Sequence, residues 1–243
     1  MSLDRMLRFD DRASLAESTA SLLLETMAVR QREAGTVSLC VTGGELSYDI
    51  FGHMAQQGPH HTLDASNVHL WWNWDYFLPL DNPDRNSLTA LSRLGGVFGF
   101  DPTKIHAIPS VEVCSDSEAG ADQYGQELRA SNPIDICLVE LGGQGQIAGI
   151  FPHHKPTAPG VLATSIHDAP LDHPELITLT TAGLNTCREI WVLAHGEDVA
   201  PLLDQLRGQD TPMPIGELTG REIVLFLTDV LAASLLDFHH CHL

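Results

Sequence analysis

The sequence predicts an α/β fold: a doubly wound, mostly parallel sheet with helices on its faces. Two observations carry this. Short apolar segments alternate with segments of helical periodicity along the whole chain, which is the signature of βαβ units. Residues 134–141 are apolar almost throughout, as expected of a strand covered on both faces in a parallel sheet.

Each element follows from local pattern. Residues 10–35 carry Leu15, Leu22, Leu23 and Met27 at helical spacing, and Gly35 stops the helix. Residues 36–44 form a short apolar strand ending in Gly43 and Gly44, and a helix follows over 46–58. A second strand is predicted at 67–72, a helix at 85–95, an extended piece at 105–109 and an amphipathic helix at 117–131. After the strand at 134–141, strands are predicted at 161–168 and 176–181, a turn or short helix at 181–187, and a strand at 188–196. Helices are predicted over 197–208 and 219–238. No repeat or linker interrupts this order, so residues 1–243 are expected to form one domain.

Composition narrows the function. The chain has 43% hydrophobic and 19% charged residues, a globular balance. Its net charge of −19 argues against nucleic-acid backbones and anionic membrane surfaces, which require clustered Lys and Arg. The five cysteines are scattered without a CxxC pair, and Cys40 and Cys137 sit in apolar runs as small core residues. This usage fits a reducing compartment, and no apolar run reaches the roughly 18 residues of a membrane span. The expectation is a soluble, cytoplasmic protein. Its oligomeric state is left open.

Ligands of such sheets bind beyond the C-terminal strand ends. Three exits draw notice: residues 42–45, 72–79 and 140–146. The last contains Gly142, Gly143, Gln144, Gly145 and Gln146, a glycine-rich turn of the kind that offers N–H groups to an anion. Its polar side chains are amides, and neither can act as a general base near neutral pH. The aromatic run around Trp74 reads as core and rim packing. Glu45, Asp75 and Glu140 all fall near strand exits, where they could gather around a cation; solvated loop acids are the plainer reading. Histidine pairs at 60–61 and 153–154, and the terminal His239, His240, Cys241 and His242, carry donor atoms. Adjacent residues seldom all point at one ion, so no metal and no cofactor are assigned. His153 or His154 would be the nearest substitutes for a base.

Taken together, these segments resemble the 6-phosphogluconolactonase family, related to the glucosamine-6-phosphate isomerase/deaminase family. The resemblance spans nearly the whole chain. VSLCVTGGELSYDIFGHMA is similar to the family's strand, Gly-Gly-Ser loop and helix. VHLWWNWDYFLPLDNPDRNS is similar to W-x-D-E-R-x-V-P followed by a Ser-Asn pair. IDICLVELGGQGQIAGIFP is similar to D-L-x-L-L-G-M-G-x-D-G-H-x-A-S-L-F-P, and ELITLTTAGLNTCREIWVLAHGEDVAPLL to the R-I-T-L-T strand and the G-x-x-K helix start that follows it.

The resemblance implies a Rossmann-like sheet and a role in carbohydrate metabolism, the pentose phosphate pathway, with a sugar-type small molecule as partner. The family's reaction opens 6-phosphoglucono-1,5-lactone: a His activates water, loop amides hold the oxyanion, and Arg and Lys clamp the phosphate. Carried over, the loop Ser falls on Glu45. D-E-R falls on Asp75-Tyr76-Phe77 or, one register back, on Trp74-Asp75-Tyr76, without an Arg. The catalytic Asp and His fall on Gln144 and Gln146, and the clamp Lys on Val199. Gly43, Gly44, Asp75, Asn86, Gly142, Gly145, Ala148, Phe151 and Pro152 match the pattern. Gln146, at the family His position, and Asp75 are thus the candidate catalytic positions. The ligand-binding loops are Gly43, Gly44, Glu45 and Asn86 with Gly142, Gly143, Gln144 and Gly145.

The expected activity is lost or much reduced lactone hydrolysis. The alternative is an active lactonase or hydrolase on a related sugar lactone with a displaced catalytic set. Restoring Gln146→His together with Phe77→Arg and Val199→Lys is expected to help more than the single changes summed.

Overall fold

The computed structural model describes residues 5–154, 157–207 and 213–236. Seven strands form the main sheet, and every neighbouring pair in it runs parallel. They are β1 (Met6–Phe9), β2 (Val37–Val41), β3 (Val68–Trp72), β5 (Ile105–His106), β6 (Ile136–Glu140), β9 (Glu189–Ala194) and β10 (Ile223–Asp229), in the order β1-β10-β9-β6-β2-β3-β5. Between them run α1 (Arg12–Ala34), α2 (Glu45–Gln57), α3 (Asn86–Leu94), α4 (Ser117–Ala130), α5 (Thr181–Leu184) and α6 (Ala200–Gln205). The doubly wound, mostly parallel arrangement is therefore present.

Two parts differ from expectation. The predicted strands at 161–168 and 176–181 do not join the parallel sheet. As β7 (Ala163–Ile166) and β8 (Leu176–Leu179) they pair antiparallel with each other, and β8 with β4 (Trp74–Tyr76), in a separate three-stranded sheet. The predicted helix over 219–238 is also a correction, because its apolar half is strand β10, laid between β9 and β1. A short apolar run does not reveal by periodicity whether it is a strand or a buried helix. Here Ile223 and Val224 favour the pleat, and β9 supplies a six-residue ladder from Ile223 to Thr228. Strand β1 escaped notice because it is a four-residue edge strand with partly exposed side chains.

The core is built on the central strands. Trp71, Trp72 and Trp191 are buried, and the Tyr124 hydroxyl closes a pair of bonds with β3, donating to the Trp72 carbonyl at 2.8 Å and accepting its N–H at 3.1 Å. Cys40 and Cys137 face each other across β2 and β6 as buried free thiols, and burial pushes the Cys40 thiol up. Trp74, Tyr76 and Phe151 form a smaller apolar cluster with Leu176 on the second sheet. Among the described residues no helix is long and apolar enough to cross a membrane.

Candidate functional site

Because β2 and β6 are neighbours and run parallel, the Gly43-Gly44 turn and the 142–145 turn leave the sheet at the same edge. β9, on the other side of β6, adds His195 to Asp198 there. Residues 73–75, which follow β3, cross from the main sheet into β4; Asn73 donates its N–H to Val41 and accepts that of Leu179. The topology thus brings together the loops expected from the sequence.

Asp75 faces inward. It and Arg85 are both 0% exposed, with Arg85 Nη2 3.0 Å and Nε 3.1 Å from Asp75 Oδ2. Oδ1 accepts the Asn86 N–H at 2.7 Å and Oδ2 the Ser87 N–H at 3.3 Å, so this carboxylate caps α3, whose N-cap residue Arg85 makes no side-chain capping bond of its own. Burial pushes the Asp75 carboxyl up, opposed by the guanidinium and by these donors. Arg85 also donates to the Ile108 carbonyl at 2.6 Å. Its charge is spent inside the protein and does not reach a ligand. Asn86 lies against the other loop: it accepts the Tyr48 hydroxyl at 2.7 Å, and a Cβ on Gly43 would stand 2.0 Å from its Oδ1.

The 142–145 turn is closed on itself. Gly142 donates to the Gln146 carbonyl at 3.0 Å and Gly145, at φ +79°, to the Gly142 carbonyl at 2.9 Å. The Gln146 side chain folds over Gly142, where any Cβ would lie 2.0 Å from its Nε2, and its Oε1 accepts the Gln144 N–H at 3.1 Å. Gln146 therefore ties up a loop amide. Gln144 itself is exposed, and Asp198 stands against Gly143.

The three acids each have their own partner, and the reading of them as solvated loop acids holds for Glu45 but not for Asp75 or Glu140, which are 0% and 16% exposed. Glu45 is 84% exposed and pairs with Arg12 at 3.0 Å, which also holds Asp49 at 2.7 Å. Asp75 has Arg85. Glu140 accepts the Ser47 hydroxyl at 3.0 Å and the Ser47 N–H at 3.4 Å, and its other oxygen lies 3.7 Å from His195 Nε2.

His195 was not singled out in the sequence, although its position at the C-terminal end of a predicted strand is the signal that drew attention to the other exits. The Glu140 carboxylate beside it pushes its pKa above 6.5, against burial and the charge of Arg12, while Asp229 adds a smaller push upward. A histidine pKa raised by folding contributes stability that is full below the unfolded value and is lost as pH rises through the folded one. Wild-type thermal stability is thus expected to fall relative to Glu140→Gln as pH rises from 6.5 through the His195 titration. Melting curves across pH, with the His195 ring followed by NMR, check this; a ring titrating below 6.5 contradicts it.

The substitute bases do not converge on this site. His154 Nδ1 accepts the Phe151 N–H at 3.1 Å, and its ring lines a cavity of about 190 Å³ whose walls include none of the glycine-loop residues. Burial lowers its pKa. His153, His154 and Asp168 place donor atoms within 4.8 Å of one another. Yet Nδ1 of His154 already uses its lone pair, which leaves the proton on Nε2, the atom facing Asp168. A ligating histidine donates from its second nitrogen instead. The terminal histidine cluster lies outside the described residues. Of the aligned clamp positions, Val199 is 1% exposed and Phe77 8%, both core, while Tyr76, the Arg position in the other register, is half-buried.

A mostly parallel sheet with glycine loops at the C-terminal edge of its strands defines a Rossmann-like α/β protein. Residues 10–225 match the family described as Glucosamine-6-phosphate isomerases/6-phosphogluconolactonase, and the chain belongs to it. It is 32% identical over 242 residues to a 6-phosphogluconolactonase of Streptomyces coelicolor, covering 92% of this chain and 91% of that one. It is 28% identical to one of Mycobacterium leprae, covering 93% and 96%. A solved 6-phosphogluconolactonase from Trypanosoma cruzi superimposes with a TM-score of 0.85 at 17% identity, over 98% of this chain and 99% of that one.

Proposed function

We propose that this chain is a 6-phosphogluconolactonase-like protein of carbohydrate metabolism, tied by family to the pentose phosphate pathway, in which hydrolysis of 6-phosphogluconolactone is lost or much reduced. One observation carries the reading: Gln146, at the position of the family's base, is an amide hydrogen-bonded to its own loop. The pairing of Arg12 and Arg85 with carboxylates supports it, since a phosphate needs unspent donors. The partner in this reading is a sugar-type small molecule, met in the cytoplasm, with neither nucleic acid nor membrane as a target.

A second reading, an active lactonase or a hydrolase on a related sugar lactone with a displaced catalytic set, is favoured by the His195–Glu140 contact, a base beside an orienting carboxylate. Hydrolysis of 6-phosphogluconolactone, followed by pH-stat against the spontaneous background, tests the first reading. The expected rate is the background rate. Robust turnover would overturn it, and loss of that turnover in His195→Ala would establish the second.

A further inference from the structure

The N-terminus of α2 follows the Gly43-Gly44 turn directly. Its N-cap residue, Gly44, has no side chain to accept the free N–H groups of the first turn. The donors of such a turn, together with the helix dipole, favour an anion. That anion is already present within the chain. Glu140, at the end of β6, sends its carboxylate across to α2, where Oε2 accepts both the N–H and the hydroxyl of Ser47. The fit is close. Gly44 sits at φ +135°, and a Cβ there would lie 2.3 Å from Glu140 Oε2. His195 approaches the other oxygen from β9, and the Glu140 side chain is only 16% exposed. In the motif that IDICLVELGGQGQ resembles, the position of Glu140 is a glycine, which has nothing to place in this seat.

We infer that Glu140 is a built-in occupant of the anion seat at the start of α2, so that the site admits a ligand only if it carries no phosphate there. The contact is autoinhibitory toward phosphate esters. Ser47 supplies the donors, His195 balances the charge, and Gly44 leaves the room that the carboxylate fills. The inference deepens the proposed function, because it names the group that displaces phosphate from this site. A merely structural role, capping α2, would produce the same bonds but no competition with phosphate.

The test separates these. Full-length wild type, Glu140→Gly and Glu140→Gln are titrated with inorganic phosphate and with 6-phosphogluconate by calorimetry, and circular dichroism checks that each variant is folded. Glu140→Gly is expected to bind phosphate at least about tenfold more tightly than wild type, since an emptied seat offers charge-assisted bonds in place of repulsion. Glu140→Gln, which keeps the shape without the charge, should fall between them. The Ser47 amide resonance should shift with phosphate in Glu140→Gly only. Equal binding by wild type and a folded Glu140→Gly overturns the inference, as does a folded Glu140→Gly that binds no phosphate. Should Glu140→Gly fail to fold, Glu140→Gln decides: no gain over wild type overturns it. None of these outcomes depends on turnover, so lactone hydrolysis by the wild type would refute the proposed function while leaving this question to the binding data.

Discussion

Arg85→Met is expected to destabilise the fold by about 3–5 kcal/mol, the usual cost of removing one partner from a buried ion pair. Asp75 would then be left fully buried with the Tyr76, Asn86 and Ser87 N–H groups but no opposite charge, and the Ile108 carbonyl would lose its donor. Against a typical total stability of about 5–15 kcal/mol, that is a large share. Asp75→Asn combined with Arg85→Met should cost less than Arg85→Met alone, because no uncompensated charge remains buried. Urea unfolding with an unchanged slope measures both. If Arg85→Met lost under about 0.5 kcal/mol, a size typical of neutral surface changes, the central place given to this pair would be wrong.

The second large effect concerns chemistry. A positioned general base contributes about 10²–10⁴-fold, but Gln146→His is expected to recover only a small part of that. The base acts only on a substrate held in attack geometry, and Glu140 occupies the seat beside the glycine loop. Supplying the family's cations at the aligned positions should not repair this. Val199 and Phe77 are core residues, so Val199→Lys and Phe77→Arg force a charge toward apolar surroundings. The expectation that these changes reinforce one another therefore gives way to loss of stability. Lactone hydrolysis and melting temperature, measured together on Gln146→His, Val199→Lys and the double variant, distinguish the outcomes. Turnover raised about 100-fold by Gln146→His alone, the low end of what a base supplies, would show that the site needs nothing but its base.

Much of the molecule was legible in sequence because its signals are local. The strands β2, β3, β6 and β9 and the helices α1, α2 and α4 follow from apolar spacing and from glycine stops. The family followed from motif order, since the loops keep their glycines even where the reactive side chains have changed. What failed were the readings of segments whose state is set by a particular neighbour. IVLFLTD is strand or helix according to what lies beside it, and β9 and β1 decide. The segments at 161–168 and 176–181 were recognisable as strands, but sheet membership and direction are long-range properties.

The site divides in the same way. Residue types alone determined that Gln146 cannot take a proton and that no Arg or Lys stands at the aligned positions. Only the tertiary structure decided what each carboxylate does. Glu45, Asp75 and Glu140 look alike in sequence, three acids near strand exits. Folding gives Glu45 to Arg12 at the surface, buries Asp75 with Arg85 under α3, and sets Glu140 between Ser47 and His195. The physical reason is that a carboxylate's role depends on its desolvation and on the charges and donors within a few ångströms of it. Those neighbours are brought from positions 10 to 93 residues away in the chain, a distance over which local pattern carries no information.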